Sequence, residues 1–179
     1  MDLTPDPDVS KAPVVVVDPS LYAESSLREK IIEHAFIADL LRVLWLRGRR
    51  DIEVLRTEVD RDGYDIVLHC NGIQRHVQLK SSYREATTAR VDARTALEGK
   101  PSGCILWILF DQRSLELGPY LWFGGKPGER IPALGDKVAR HSRPNAQRIK
   151  AERPGLRTIS RGRFTKLNTM DELITAPFG

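Results

Sequence analysis

Two short β-patterned runs, Gly63-Tyr64-Asp65-Ile66-Val67-Leu68 and His76-Val77-Gln78-Leu79-Lys80, flank Asn71-Gly72. Asn-Gly between such runs predicts a two-residue hairpin loop, because both central residues of a type I′ turn need positive φ. With those two residues in the loop, Cys70 faces Ile73, Asp65 faces Gln78 and Gly63 faces Lys80. Side chains alternate along a strand and paired residues share a face, so Asp65, Gln78 and Lys80 project from one side. Val67, His69, Gln74 and His76 accompany them, and a solvent-exposed face accounts for such a set. Tyr64, Ile66, Leu68, Val77 and Leu79 make the other side the better core face, despite Arg75.

Upstream, Ser26-Leu27-Arg28-Glu29 matches a capping box and predicts a helix from Ser26 to Leu46 or Arg47, ended by Gly48. Asp51 to Glu58 reads as a first strand. Tyr83 to Leu97 is polar with Ala89, Val91, Ala93, Ala96 and Leu97 interspersed, and reads as a helix. The continuous apolar run from Cys104 to Phe110 predicts a central strand covered on both faces. Pro119 to Phe123 predicts another strand, closed by a turn at Gly124-Gly125-Lys126-Pro127-Gly128. Residues 136 to 163 read mostly as loop, with a helix at Asn145 to Ala151. A last short helix at Thr169 to Ile174 is capped by Thr169 with Glu172 three residues on. Residues 1 to 19, with their prolines, predict a loose arm in which Val14 to Val17 adds an edge strand. The resulting fold class is α/β (α+β): a single mixed sheet flanked by helices in one domain over residues 20–179.

Composition narrows the class. At 179 residues, with 41% hydrophobic and 29% charged positions, the chain has the profile of an ordinary globular protein. No apolar run approaches the roughly 20 residues of a membrane span, and the N-terminus lacks the order of a signal peptide, so the expected location is cytoplasmic. Cys70 and Cys104 stand far apart, which leaves a disulfide framework or zinc ribbon unsupported. The formal charge of +4 is unevenly spread: from Lys137 to Lys166 there are ten basic residues and one acid, Glu152. Such a segment is either a solvated basic loop or an attractor for a polyanion.

Placed on a helical wheel, Glu33 falls in the middle of the stripe formed by Phe36, Ile37, Leu40 and Leu44. A carboxylate there must be paired, hydrogen-bonded or metal-bound. It is either salt-bridged to a core-edge arginine or a ligand reaching toward the hairpin. Asp65 sits inside a strand, where Asp is disfavoured. An acid, an amide oxygen and an amine on one face (Asp65, Gln78, Lys80) could hold a metal and a water. Other sets are weaker. His69 and His76 lack a third zinc ligand, and the glycine-rich turn lacks Walker spacing. Trp45, Trp107 and Trp122 sit in apolar runs and read as core, while Ser81 and Ser82 read as caps of the next helix.

Glu33 on a first helix, Asp65 after a glycine-bearing turn and Gln78-Leu79-Lys80 on the next strand resemble the PD-(D/E)XK nuclease superfamily. The form resembles the Gln-x-Lys variant of Mrr-type restriction nucleases and related bacterial proteins, over residues 26 to 124. The resemblance implies a restriction-endonuclease-like core and a metal-dependent endonuclease that hydrolyses phosphodiester bonds, of DNA, in a bacterial defence setting. It implies Asp65 as central ligand of Mg²⁺ (or Mn²⁺), with oxygens from Gln78, the Leu79 carbonyl and Glu33, and Lys80 acting on the attacking water. Gln78 stands where the commonest form has an acid, which implies weaker metal binding. The basic segment (Arg140, Arg143, Arg148, Lys150, Arg153, Arg157, Arg161, Arg163) would grip the nucleic-acid backbone.

Two other functions fit the chain. One is a nuclease-fold protein without catalysis that binds nucleic acid or a protein partner. The other is an assembly protein, for instance a homodimer, using the Trp107 and Trp122 strands as an interface. The nuclease expectation carries a packing condition. The first helix must lie on the polar face of the hairpin, because packing on the Ile66 and Val77 face would part Glu33 from the other residues.

Overall fold

The computed structural model describes residues 24–59, 61–141, 148 and 150–178. The N-terminal arm with Val14 to Val17, Arg143 and most of the helix expected at 145–151 lie outside them; Lys150 and Ala151, which are described, are not helical. Helix α1 (Ser25–Leu46) buries Ile32, Phe36, Ile37, Leu40 and Leu44. Its N-cap is Glu24, with no side-chain cap bond. The capping box expected at Ser26 and Glu29 therefore does not form, since Ser26 is already inside the first turn. Gly48, at φ +77°, follows the C-terminus as expected.

Strand β1 (Glu53–Arg56) pairs antiparallel with β2 (Ile66–Cys70), and β2 with β3 (Ile73–Tyr83). The hairpin has the expected register, Cys70 opposite Ile73 and Ile66 opposite Val77. Asn71 and Gly72 sit at φ 54° and 72°, the positive pair that the loop requires. Asp51 braces the loop, its carboxylate accepting from the Asn71 N–H and from the Cys70 thiol.

The helix expected over Tyr83 to Leu97 is absent. Tyr83 ends β3, and residues 90–94 form strand β4 (Arg90–Arg94) before a 3₁₀ turn at Thr95–Gly99. In β4 the apolar Val91 and Ala93 alternate with Arg90, Asp92 and Arg94, a period of two that the helical reading passed over. Ser81 and Ser82 consequently lie in β3 and cap nothing; the Ser82 Oγ instead accepts the Trp107 indole N–H at 2.8 Å.

Strand β5 (Gly103–Phe110) runs parallel to β3, and all eight of its residues are buried. Beyond it β6 (Leu117–Gly124) and β9 (Thr165–Leu167) complete a six-stranded sheet in the order β1-β2-β3-β5-β6-β9. The basic segment is also more ordered than expected: β7 (Val138–Arg140) and β8 (Glu152–Ser160) join β4 in a three-stranded sheet, β4-β8-β7. A polar outer face hid these strands from a reading by hydrophobicity. Helix α2 (Met170–Phe178) is capped by Thr169, whose Oγ1 accepts the Glu172 N–H at 3.1 Å.

Two cores flank the large sheet. On one face α1 and α2 cover Ile66, Leu68, Val77, Leu106 and Ile108. On the other the small sheet and the 3₁₀ turn cover Ile105, Trp107, Leu109 and Leu121 with Ala93, Leu97 and Ile159. The hairpin face carrying Val67, His76 and Gln78, read above as open to solvent, is buried at those three residues. Trp107 and Trp122 are core residues and so are not themselves available to a partner, whereas Trp45 is 62% exposed and is not core.

Arg75 ties the hairpin to the far end of the chain. It is fully buried, with Nε donating to the Pro177 carbonyl at 2.7 Å and Nη1 to the Gly125 carbonyl at 2.9 Å. Burial pulls its pKa below the ordinary arginine value. Arg75→Leu leaves both carbonyls without that donor, and urea denaturation should show a loss of about 2–4 kcal/mol. Hydrogen exchange in α2 should speed up first. Asp51, held below the ordinary carboxylate range chiefly by the Asn71 N–H, should matter in acid. A depressed carboxylate pKa contributes stability that is present above the ordinary value and lost as pH falls through the lowered one. Asp51→Asn should flatten that acid limb in pH-dependent denaturation.

Candidate active site

Strand β2 begins only at Ile66, opposite Val77, while β3 continues past Val77 to Tyr83. From Gln78 onward β3 is paired only with β5, so its other edge is open. Gly63, at φ +80°, turns the chain toward that edge; a Cβ there would come within 2.7 Å of the Arg94 Cβ, so both conformation and space require glycine. Asp65 then leaves the regular ladder. Its N–H donates to the Val77 carbonyl at 2.9 Å, and its carboxylate accepts the Leu79 N–H at 2.6 Å. Because one residue's N–H and C=O leave a strand on the same side, the Leu79 carbonyl also faces this open edge.

Helix α1 packs on the Ile66 and Val77 face, contrary to the packing condition set by the sequence. Glu33 is nevertheless not parted from the strand residues. Glu33, Asp65, Leu79 and Lys80 line one cavity of about 290 Å³, with Glu29, Lys30 and Ser81 beside them. The condition failed because it treated the hairpin as paired along its whole length. At an open strand edge, groups from either face can reach the same space.

Gln78 is the exception. It is buried and does not line that cavity, and its Oε1 has no hydrogen-bond partner. Glu33 has a side chain 11% exposed and forms the salt bridge to a core-edge arginine that was one of the two roles weighed for it. It lies 2.8 Å from Lys30 Nζ and 3.5 Å from Arg56 Nη1, the core-edge arginine, while lining the cavity. Arg56 also approaches His34 Nε2 at 3.0 Å. Lys30 and Arg56 were not singled out from sequence; Lys30 was detectable as an i−3 neighbour of Glu33 on the helix, whereas Arg56 comes from another strand.

No described group of three or more His, Cys, Asp and Glu side chains could hold a metal ion. Among the described residues, an ion at this edge would depend on Asp65 and Glu33 together with neutral oxygens. His76 is occupied structurally, Nδ1 lying 2.8 Å from the Pro101 carbonyl and its ring edge-on to Tyr64. Burial raises the Cys104 thiol to about 12 and the Cys70 thiol above its ordinary value, so neither is an activated nucleophile.

The basic residues anticipated as a nucleic-acid grip are spread over the small sheet and its loops. Arg140 pairs with Glu152 at 3.2 Å, Arg157 donates to the Pro154 carbonyl at 2.7 Å and Arg163 to the Leu134 carbonyl at 2.6 Å. Arg148, Lys150 and Arg153 are exposed, and Arg161 lies over the Trp107 ring at 5.7 Å. Among the described residues no helix is long and apolar enough to cross a membrane.

No family model and no curated protein matches the chain. Among solved structures, a bacterial homing endonuclease, I-Ssp6803I, is similar to it at 20% identity, over 70% of this chain and 85% of that chain, with a TM-score of 0.33. That likeness assigns no role to any residue.

Asp65→Asn retains an oxygen for the Leu79 N–H, whereas Asp65→Ala removes it. Urea denaturation should place the Asn variant within about 1 kcal/mol of the parent and the Ala variant about 1–2 kcal/mol below it. Equal stability of the two would mean that the Leu79 hydrogen bond does not hold the edge.

Proposed function

We propose that the chain is a metal-dependent nuclease of PD-(D/E)XK type, in its Gln-x-Lys form, hydrolysing phosphodiester bonds of DNA. The observation that carries this is the convergence of Glu33, Asp65 and Lys80 on one cavity at the open edge of β3. Two acids beside an amine, on a basic chain, match the needs of hydrolysis at an anionic phosphate.

The donor set fits a hard divalent cation. Asp65 and Glu33 offer carboxylates and the Leu79 carbonyl leaves the strand on the same edge, whereas the Gln78 Oε1, buried and without a donor, lies outside the cavity and would have to turn into it to join them. When bound, Mg²⁺ or Mn²⁺ supplies Lewis acidity and a water acidic enough to attack at neutral pH. Asp65 holds its position through the Leu79 N–H and would be the central ligand. Lys80 would place an ammonium where charge develops on the phosphate. Glu33, fixed between Lys30 and Arg56, would orient water. Arg148, Lys150 and Arg153 would attract the backbone from the small sheet.

A second reading has its own support. Both Glu33 oxygens are engaged by cations, at 2.8 Å by Lys30 and at 3.5 Å by Arg56. A site whose acid is already neutralised suits a nuclease-fold protein that binds nucleic acid without cutting it.

Incubation of plasmid DNA with Mg²⁺ or Mn²⁺ separates the two. The nuclease reading expects cleavage that EDTA stops and that Asp65→Ala or Lys80→Ala lowers by about 10³-fold or more, an electrostatic loss of about 4 kcal/mol. Glu33→Gln should lower it less. Cleavage retained in both Asp65→Ala and Lys80→Ala would overturn it. Binding without cleavage, falling with salt and indifferent to metal, would establish the second reading.

A further inference from the structure

The cross-strand register draws a line from the candidate site across the sheet. Lys80 pairs with Trp107, Trp107 with Leu121 and Leu121 with Lys166. Directly paired residues share a face, so the four stand in one row on the side of the second core. Three strand spacings of about 4.8 Å put the two ends about 14 Å apart. The row starts at the site and ends on β9, the edge strand of the large sheet. Alongside its far half lies a groove of about 480 Å³ with Leu109, Leu121 and Phe164 as floor and Arg84, Arg161 and Lys166 as rim.

Among the described residues none of the three cations is held in a salt bridge. Arg84 donates only to carbonyls, Nε to Gly118 at 2.9 Å and Nη2 to Glu116 at 3.4 Å. Arg161 lies over the Trp107 ring, 5.7 Å from its centroid. Lys166 is exposed, and among the described residues no acid lines the groove. Asp111 attracts Arg84 electrostatically from outside the groove, its Oδ1 also accepting the backbone N–H groups of Arg113 and Ser114.

We propose that this groove is a docking site for one strand of nucleic acid, with the phosphates on Arg84, Arg161 and Lys166 and a base over the apolar floor. It would carry the unpaired strand away from the phosphate at Lys80. A duplex presents phosphates and sugars outward and gives such a floor nothing to cover, whereas an unpaired base does. The volume lies within the range of pockets that enclose small ligands, enough for one nucleotide. The proposal rests on the nuclease reading only for the direction of the strand; the groove's ligand follows from its own residues.

Binding of a fluorescent 20-nucleotide single strand, and of the blunt duplex of the same sequence, can be followed by anisotropy with the full chain in EDTA, where nothing is cut. The single strand should bind more tightly than the duplex. Arg161→Ala and Lys166→Ala should each weaken it several-fold and lower the slope of log K against log salt by about 0.7. Lys126→Ala, an exposed lysine outside the groove, should leave the slope unchanged. Lys166→Glu should weaken binding further, and Lys166 is exposed enough for either replacement to fold. Unchanged slopes in Arg161→Ala and Lys166→Ala, or a duplex bound as tightly as the single strand, would overturn the groove. A protein that cuts DNA while these variants bind normally keeps the nuclease reading and loses the groove. A protein that never cuts, but loses strand binding through Arg161 and Lys166, keeps the groove and loses the nuclease.

Discussion

The burial of β5 on both faces is the constraint around which the rest is arranged. A strand reading Gly-Cys-Ile-Leu-Trp-Ile-Leu-Phe has no side to show to water, so each face needs a cover. Helices α1 and α2 supply one, and the small sheet with the 3₁₀ turn supplies the other. Parallel pairing with β3 places the long hairpin strand beside this core. It also leaves the second half of β3 without a partner on its outer side, because β2 begins only at Ile66, opposite Val77. The candidate site occupies that unpaired edge.

An unpaired strand edge is ordinarily a liability, since its peptide groups invite another strand. Here Asp65 accepts the Leu79 N–H and α1 overhangs the edge, so the polar backbone is used instead of exposed. The same geometry explains how groups from opposite faces converge. Electrostatically the cavity is balanced, with Glu33 held by Lys30 and Arg56 and Asp65 beside Lys80. A site so balanced neither repels an anionic substrate nor collapses around its own carboxylates. The orphaned Gln78 oxygen is the one described acceptor buried in this region without a donor.

Much of the fold was legible wherever a local rule is strong. Asn71-Gly72 specified its hairpin and register because few residues tolerate two successive positive φ angles. The apolar run ending at Phe110 read as a covered strand, α2 was placed by its Thr169 cap, and α1 by a capping box that does not form but sits one residue inside the helix start. The errors share a cause. Strand β4 alternates Arg90, Asp92 and Arg94 with only Val91 and Ala93 toward the core, and in β8 Arg157 shares the core-side face with Ile159, so hydrophobic patterning is weak in both. Trp45 read as core because a helical stripe does not say which of its apolar residues meets the sheet; its ring carries the Arg50 guanidinium at 3.7 Å instead.

The sequence by itself determined the hairpin, the buried central strand and the helix carrying Glu33, and it singled out the polar residues Asp65, Gln78 and Lys80 on one hairpin face. These depend on φ preferences, periodicity and the cost of burying charge, all of which are local. Only the tertiary structure decided which face α1 covers, that Glu33 pairs with Arg56, that Gln78 is buried away from the cavity and that Lys80 and Lys166 stand in one row. Those outcomes depend on where β2 begins relative to β3 and on which strands lie side by side. Relations between distant segments of that kind leave no periodic trace in the chain.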